Sequence, residues 1–335
     1  MVDYSISGYF LGSHLKPKPE HSDCYNIRPI TVAHMESISN ALEKLGDFDS
    51  YCHLYEICEK NYQSILSYHF SIKDDFLSNQ DKSYEYLGEA FYEITRLLLN
   101  YLSSFKTFYD HLETRYTKLE RQGYSFYTDY KKITAACYDS SFSYRFFTKL
   151  RDYVQHCGLP LGEMIIYEQP NQDRNVDIHI STVLHRDSLL SSGFKWKKLK
   201  AELHDQPEQM ELLLYLDRLQ SQIKLINRSV VDFEISLAKD SWKIIWELIN
   251  EVQDQYPDGS PFIGQYKETD SGQHKLLITH FPIHTMLKFE EKSHITNNSM
   301  HSNAKPVLNK IKLNTKNYIG MYDILTIHQT NEKPQ

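Results

Sequence analysis

Glycine, proline and cysteine are scarce in this chain of 335 residues, which has 12 glycines, 11 prolines and five cysteines. The low glycine content argues against propeller, collagen-like and glycine-loop nucleotide-binding architectures, because each of them uses glycine at many positions. The cysteines are irregularly spaced and form no CxxC pair, which disfavours a disulfide framework and a structural zinc site. Such cysteines are typical of a reducing compartment, so we expect a cytoplasmic protein.

The sequence also lacks a long apolar run and an excess of positive charge. No stretch approaches the roughly 20 apolar residues of a membrane-spanning helix, and the first residues do not form a signal peptide. We therefore expect no membrane association. The formal net charge is −7, which excludes a basic coat over the whole surface but is compatible with a local basic patch.

Helical periodicity dominates the sequence. It is clearest in residues 84–121, where apolar residues alternate steps of four and three from Leu87 to Leu112. This heptad-like spacing places them on one face of a helix that we expect to be nearly continuous. The residues predicted to be buried on this face are Leu87, Phe91, Ile94, Leu98, Phe105 and Phe108.

Five further helices are predicted from similar patterns and their end signals. A helix that begins at Thr31 is expected to end at Gly46, and another covers residues 50–70. A serine cap and a Gly-Leu-Pro stop bound a helix over 140–157. A helical pair follows Pro207, with one helix through Leu237 and a shorter one over 242–252.

Two small β-hairpins are predicted where the period becomes alternating, one over 163–181 and one over 262–279. Residues 318–328 are a candidate for one more strand. We therefore expect a mainly α fold, a helical bundle with long heptad-patterned helices and two hairpins. The predicted segments are an irregular N-terminal stretch (1–30), a helical domain (31–160), hairpins and a helical pair that pack on the bundle (161–290), and a polar linker with a C-terminal segment (291–335).

The most informative motif lies near the end of the helix predicted over 140–157. Arg151 is followed by the polar residue Asp152, and four residues separate Arg151 from His156. The pattern resembles the signature of the HEPN superfamily, in which four to six residues separate the arginine from the histidine. The resemblance covers roughly residues 84–160 in architecture and is specific at these three positions. It implies that the helical domain is a HEPN-like bundle.

The resemblance implies a metal-independent endoribonuclease that acts as a homodimer without a cofactor, in a bacterial toxin or anti-phage defence system. RNA is then the substrate, and an antitoxin or regulatory protein is a further partner. The residue types suit such a site, because His156 can transfer protons at neutral pH and Arg151 can hold the scissile phosphate. Asp152 would orient Arg151, and the product would be a 2′,3′-cyclic phosphate.

Helix geometry sets a condition on this interpretation. Residues five apart on a regular helix diverge by about 140°, so one helix does not bring Arg151 and His156 together. They converge if the helix unwinds before Gly158, or if a two-fold axis brings two copies into one groove, which we expect. The alternative is a non-catalytic helical interaction protein in which Arg151 is solvated and His156 binds the carbonyls of the last turn.

A basic segment provides a candidate RNA-binding site. Lysines can bind a phosphate backbone and tryptophan can stack on a base. In the alternative interpretation, the tryptophan and Leu199 point into the core and the lysines are only solvated. The candidate residues are Lys195, Trp196, Lys197, Lys198 and Lys200.

A metal-dependent hydrolase is the third hypothesis. His179 and His185 lie close in sequence to Asp177 and Asp187, and these residue types bind transition metals. Polar residues on the exposed face of a strand explain the same pattern, so we predict no metal site.

Overall fold

The structure, a computed structural model, describes residues 8–18, 21–78, 84–170, 176–268, 274–295, 304–314 and 322–326. Within these ranges the fold is mainly helical, as predicted, with nine α-helices and eight β-strands. The helices are α1 (Val32–Ser78), α2 (Tyr84–Arg121), α3 (Phe126–Ser140), α4 (Phe142–His156), α5 (Arg186–Ser191), α6 (Leu199–His204), α7 (Leu212–Gln255), α8 (Ile283–Ile295) and α9 (Ala304–Asn314). The strands are β1 (Tyr9–Lys18), β2 (His21–Ile30), β3 (Glu163–Pro170), β4 (Val176–His185), β5 (Gln209–Glu211), β6 (Ser260–Glu268), β7 (His274–His280) and β8 (Tyr322–Thr326).

The chain divides into two compact units. The continuous unit is Tyr51–Val230, and the discontinuous unit combines Met1–Ser50 with Val231–Gln335. The divisions fall inside α1 and α7, whereas the sequence analysis placed segment boundaries near residues 30, 160 and 290. Within the described ranges, no helix is both long and apolar enough to cross a membrane.

Helix α2 is central to the bundle of the continuous unit. The prediction of one unbroken helix over 84–121 is confirmed. Four residues of the predicted stripe are buried, and the two nearest its start, Leu87 and Phe91, are half-buried. Aromatic rings of α2 contact rings on three other helices, with centroid distances of 6.0 Å to α1, 4.9–6.2 Å to α3 and 5.9–6.1 Å to α4. The buried stripe residues are Ile94, Leu98, Phe105 and Phe108.

A hydrogen-bond network connects α1, α2 and α7 inside this unit. The Tyr101 hydroxyl donates to Gln220 Oε1 at 2.7 Å, and Gln220 Nε2 donates to Glu59 Oε2 at 2.5 Å. Desolvation opposes ionisation of Glu59, but hydrogen bonds from Gln63, Tyr55 and Gln220 lower its pKa overall. Because buried polar groups are costly when unpaired, the network favours one register of the three helices.

A buried histidine connects α1 to the sheet β3–β4–β5 of the same unit. His69 Nε2 lies 3.0 Å from the carbonyl oxygen of Ile180, and Nδ1 lies 3.5 Å from the Thr182 hydroxyl. Burial lowers the pKa of His69, although the carboxylate of Glu211 acts in the opposite direction. The folded protein therefore binds this proton less readily than the unfolded chain, in which the pKa of histidine is about 6.5.

This shift predicts that acidification destabilises the fold through His69. As the pH falls below about 6.5, the unfolded chain takes up the proton first, so the free energy of unfolding decreases by at most about 1.4 kcal/mol per pH unit. The His69→Gln variant should lack this contribution. Urea unfolding of both proteins between about pH 5 and about pH 8 measures the difference. A difference in stability that does not vary with pH would contradict the prediction.

The discontinuous unit contains an antiparallel sheet in the order β2-β1-β6-β7-β8. Arg28 of β2 makes a bidentate ion pair with Glu251 of α7, at 2.6 and 2.8 Å. Helix α8 packs on α7 through the rings of Phe289 and Trp242, whose centroids are 6.0 Å apart.

Both predicted hairpins form, and each belongs to a larger sheet, because β5 joins the first and β1, β2 and β8 extend the second.

Near the ends of the chain, β1, β2 and α9 were not predicted from the sequence, whereas β8 lies within the candidate strand over 318–328. Strands β1 and β2 occupy the stretch predicted to be irregular, of which residues 1–7 and 19–20 lie outside the described residues. Pro17, Pro19 and Pro29 suggested irregularity. Pro29 is compatible with the sheet because β2 is an edge strand, where one side makes no hydrogen bonds, and Pro17 lies in β1 beyond His14, the last residue that pairs with β6. The predicted linker over 291–335 contains the end of α8, all of α9 and β8; residues 296–303, 315–321 and 327–335 lie outside the described residues.

Two predicted helix boundaries are wrong. Helix α1 continues through Gly46, which lies on an exposed face where a glycine costs only about 1 kcal/mol relative to alanine. Helix α7 begins at Leu212 rather than Pro207 and joins the two predicted helices into one. In both cases the apolar face of the helix remains buried on both sides of the expected break. This burial stabilises one continuous helix more than the helix-end signals in the sequence favour a break.

Candidate functional site

The HEPN-like motif lies on α4, whose ends follow from the sequence. The hydroxyl of Ser141 caps the helix by accepting a hydrogen bond from the backbone N–H of Tyr144 at 3.2 Å. At the other end, the Cys157 N–H donates to the carbonyl of Tyr153 at 2.8 Å. The helix is therefore intact through His156 and does not unwind to bring Arg151 toward it.

Arg151 lies on the side of α4 that borders α2. It follows Tyr144 by two turns, so the two residues share a side of the helix within about 20°. The ring of Tyr144 contacts Phe105 and Tyr109 of α2, at centroid distances of 5.9 and 6.1 Å. The Arg151 side chain is 28% exposed, and its Nη1 lies 3.7 Å from Asp152 Oδ1. Its Nε atom is buried and has no hydrogen-bond partner among the described residues.

His156 lies on the opposite side of α4 and is exposed. It follows Lys149 by two turns, so these residues share a side of the helix, with Asp152 between them. Lys149 Nζ donates to Asp152 Oδ2 at 3.1 Å. Asp152 therefore interacts with Lys149 through one oxygen and with Arg151 through the other. Within one protomer, the structure does not bring Arg151 and His156 to a shared groove.

The basic segment is anchored on the His156 side of the same helix. The Trp196 ring stacks against Phe146 and Tyr153 of α4, at centroid distances of 5.9 and 5.6 Å. The Phe194 ring contacts Tyr153 edge-on at 5.6 Å. Tyr153 precedes His156 by three residues, which places the two about 60° apart on the helix. The structure thus brings together two sites that are about 40 residues apart in sequence.

An ion pair anchors α6, which follows the basic segment, to the start of α4. The guanidinium of Arg145 donates from Nε and Nη2 to the carboxylate of Glu202, with the shortest distance 2.6 Å. Arg145 also donates to the backbone carbonyls of Tyr138 and Asp139. These interactions occupy Arg145, so the next cation along this side of α4 is Lys149.

Trp196 is a core residue, as in the alternative interpretation of the basic segment. It is 2% exposed, and its Nε1 donates to the carbonyl of Leu189 at 2.9 Å. No face of the indole is left for stacking on a base. Lys197 adopts a left-handed backbone conformation with φ of 54°, which costs a non-glycine residue about 1–2 kcal/mol. This turn follows the inward-pointing tryptophan, and the lysines remain exposed: Lys195, Lys197, Lys198 and Lys200.

The residues considered for a metal do not converge. His179 is exposed, His185 Nε2 lies 3.2 Å from Glu163, and Asp187 pairs with Arg186 at 2.7 Å. The side chain of Asp177 lies outside the described residues. Among the side chains that the structure describes, no group of three His, Cys, Asp or Glu residues is arranged to hold a metal ion.

Lys149 is the residue near the motif that the sequence analysis did not select. Its seven-residue spacing from His156 was the available signal, because residues two turns apart share a side of a helix. No spacing in the sequence predicted the stacking of Trp196 on α4, because this stacking joins distant parts of the chain.

Comparison of the chain with protein-family models, with curated proteins and with solved structures finds no match. Its function is therefore inferred from the motif on α4 and from the geometry around it.

Proposed function

We propose that the chain is a metal-independent endoribonuclease that acts as a homodimer. The 2′-hydroxyl of the RNA attacks the neighbouring phosphorus, the bond from phosphorus to the 5′-oxygen breaks, and the products are a 2′,3′-cyclic phosphate and a 5′-hydroxyl. His156 takes the proton from the 2′-hydroxyl or supplies one to the leaving 5′-oxygen, and water serves as the acceptor or donor in the other proton transfer. Arg151 stabilises the negative charge on the phosphate oxygens in the transition state, and Asp152 orients it.

The observation that carries this proposal is the packing of the basic segment on the helix of the motif. Trp196 stacks on Phe146 and Tyr153, so the exposed lysines next to it in sequence are held close to α4, the helix that carries His156. A cluster of lysines attracts a phosphate backbone even on a chain whose net charge is −7. This supports RNA as the substrate independently of the motif.

The separation of Arg151 from His156 on an intact helix supports a two-fold arrangement of the site. A symmetric partner would bring its own Arg151 toward His156, so each site would combine residues from two protomers. The resemblance to HEPN proteins also supports a role in bacterial toxin or anti-phage defence, with an antitoxin or regulatory protein as a partner.

The same separation favours a second candidate, a non-catalytic helical interaction protein. In that case the half-buried Arg151 and the exposed His156 are ordinary surface residues of a helix that packs in the bundle. The two candidates differ in whether the purified protein cleaves RNA.

Cleavage of RNA in the presence of EDTA tests the proposal. The wild-type protein should cleave, because His156 and Arg151 supply the proton transfer and charge stabilisation themselves. The Arg151→Ala/His156→Ala double variant should not cleave, although it should fold and self-associate like the wild type. Cleavage by neither protein would favour the interaction protein, and cleavage only with added Mg²⁺ or Mn²⁺ would favour the metal-dependent hydrolase.

A further inference from the structure

We infer that Lys149 binds a backbone phosphate of the RNA beside the one that is cleaved, and that the basic segment continues this path. The inference rests on the proposed function and deepens it, since it gives the enzyme a substrate-binding path on one side of α4. We call the five lysines that form it the phosphate track: Lys149, Lys195, Lys197, Lys198 and Lys200.

The position of Lys149 on the helix is the first step. Residues seven apart diverge by only about 20°, and two turns of helix span about 10.5 Å. The long, flexible stem of lysine lets its ammonium group reach well beyond its own turn of the helix, toward the next phosphate of a strand that passes His156. Lys149 and His156 can therefore contact neighbouring phosphodiester groups of one RNA strand.

The second step is that a phosphate can replace Asp152 as the partner of Lys149. Its ion pair with Asp152 measures 3.1 Å, and the two side chains are 31% and 36% exposed. Pairs with this exposure contribute little to stability, commonly less than about 1 kcal/mol. A phosphate group can replace the carboxylate at small cost, whereas Arg145 is held by Glu202 and by two backbone carbonyls.

The location of the basic segment is the third step. The ring of Trp196, which lies among the lysines, and the ion pair of Glu202, which follows them, attach the segment to α4 on the side that carries Lys149 and His156. Arg151 lies on the other side, next to Tyr144 and α2. One protomer therefore carries these lysines on the side of α4 that holds His156 and away from its own Arg151.

Phosphate contacts of this kind make binding sensitive to salt but not to base sequence. Each lysine lost from a single-stranded RNA complex should reduce the slope of log affinity against log salt by about 0.7. It should also weaken binding uniformly across RNA sequences. These two signatures separate a phosphate contact from a purely structural role of Lys149.

The test uses the full-length protein and a fluorescein-labelled, single-stranded 2′-O-methyl RNA, which cannot be cleaved because its 2′-oxygen carries no proton. Fluorescence anisotropy at several salt concentrations gives the affinity and its salt slope. Lys149→Gln should weaken binding about fivefold and lower the slope by about 0.7. The matched control is Lys132→Gln, because Lys132 also lies on a helix and pairs with an aspartate three residues away, at 3.2 Å. The control should stay within about twofold of the wild type.

The outcomes separate this inference from the proposed function. Equal binding by Lys149→Gln and Lys132→Gln overturns the phosphate track, while RNA cleavage by the wild type in EDTA would leave the proposed function intact. A wild-type protein that neither binds nor cleaves RNA overturns both. Thermal unfolding of the two variants shows whether their helices are preserved, since Lys149 is partly exposed and Lys132 largely exposed, and each change should alter stability by less than about 0.5 kcal/mol.

Discussion

Replacing Trp196 with alanine should lower the free energy of unfolding by about 3–5 kcal/mol, as for other large aromatic residues removed from a core. The side chain is 2% exposed, and its ring contacts Phe146, Tyr153 and Phe194 at centroid distances of 5.9, 5.6 and 4.8 Å. The variant also leaves the Leu189 carbonyl without its hydrogen bond from the indole. Urea unfolding followed by circular dichroism measures the loss.

Two further variants make this result specific. Trp196→Phe keeps an aromatic ring and should lose less stability than Trp196→Ala. Tyr92→Ala removes an aromatic side chain that is 68% exposed and should change the free energy of unfolding by less than about 0.5 kcal/mol. If Trp196→Ala costs less than about 1 kcal/mol, the indole is not in the core and the basic segment is not anchored to α4 as described.

The elements with regular patterns could be predicted from the sequence. Helix α2 was predictable because its apolar residues keep helical spacing over many turns, so burial of one face decides its structure. The ends of α4 followed from Ser141 and from the Gly-Leu-Pro stop. The hairpins β3–β4 and β6–β7 followed from alternation of apolar and polar residues.

Elements that depend on distant parts of the chain could not be predicted. Strand β1 forms between β2 and β6, and the pairing of β1 with β6 joins residues that are about 250 positions apart in sequence. One contact there needs a glycine, because a Cβ atom at Gly12 would lie 2.5 Å from the ring of Phe262. A strand whose partner is so remote carries little local signal, and the prolines of the first thirty residues suggested an irregular stretch instead.

The candidate site shows the same limit. The residue types of the motif were readable, and the divergence of Arg151 and His156 followed from helix geometry alone. The burial of Trp196 agreed with one of two interpretations that the sequence left open. The attachment of the basic segment to α4 depends on a tertiary contact between residues about 40 positions apart, so only the structure could reveal it.

Loss of His156 or of Arg151 should have the largest effect on RNA cleavage. His156→Ala should reduce RNA cleavage about 100- to 10,000-fold, which is the usual contribution of general acid–base catalysis. Arg151→Ala should reduce it about 100- to 1,000-fold through loss of transition-state stabilisation. Cleavage rates in EDTA measure both effects. His111→Ala is the matched control, because His111 is an exposed histidine on α2, and its rate should equal that of the wild type.

The two variants also test whether each site combines two protomers. In a mixed dimer of His156→Ala and Arg151→Ala chains, one site lacks both residues and the other retains both, if the histidine and the arginine come from different protomers. With random exchange of subunits, half of the dimers are mixed and half of their sites are intact. A mixture of His156→Ala with the Arg151→Ala/His156→Ala double variant contains no intact site and is the control.

The measurement that tests the account most directly is therefore the rate of RNA cleavage in EDTA by an equimolar, re-equilibrated mixture of His156→Ala and Arg151→Ala proteins. A homodimeric ribonuclease with shared sites predicts recovery to about one quarter of the wild-type rate. A mixture that cleaves no faster than the separate variants would contradict the shared site.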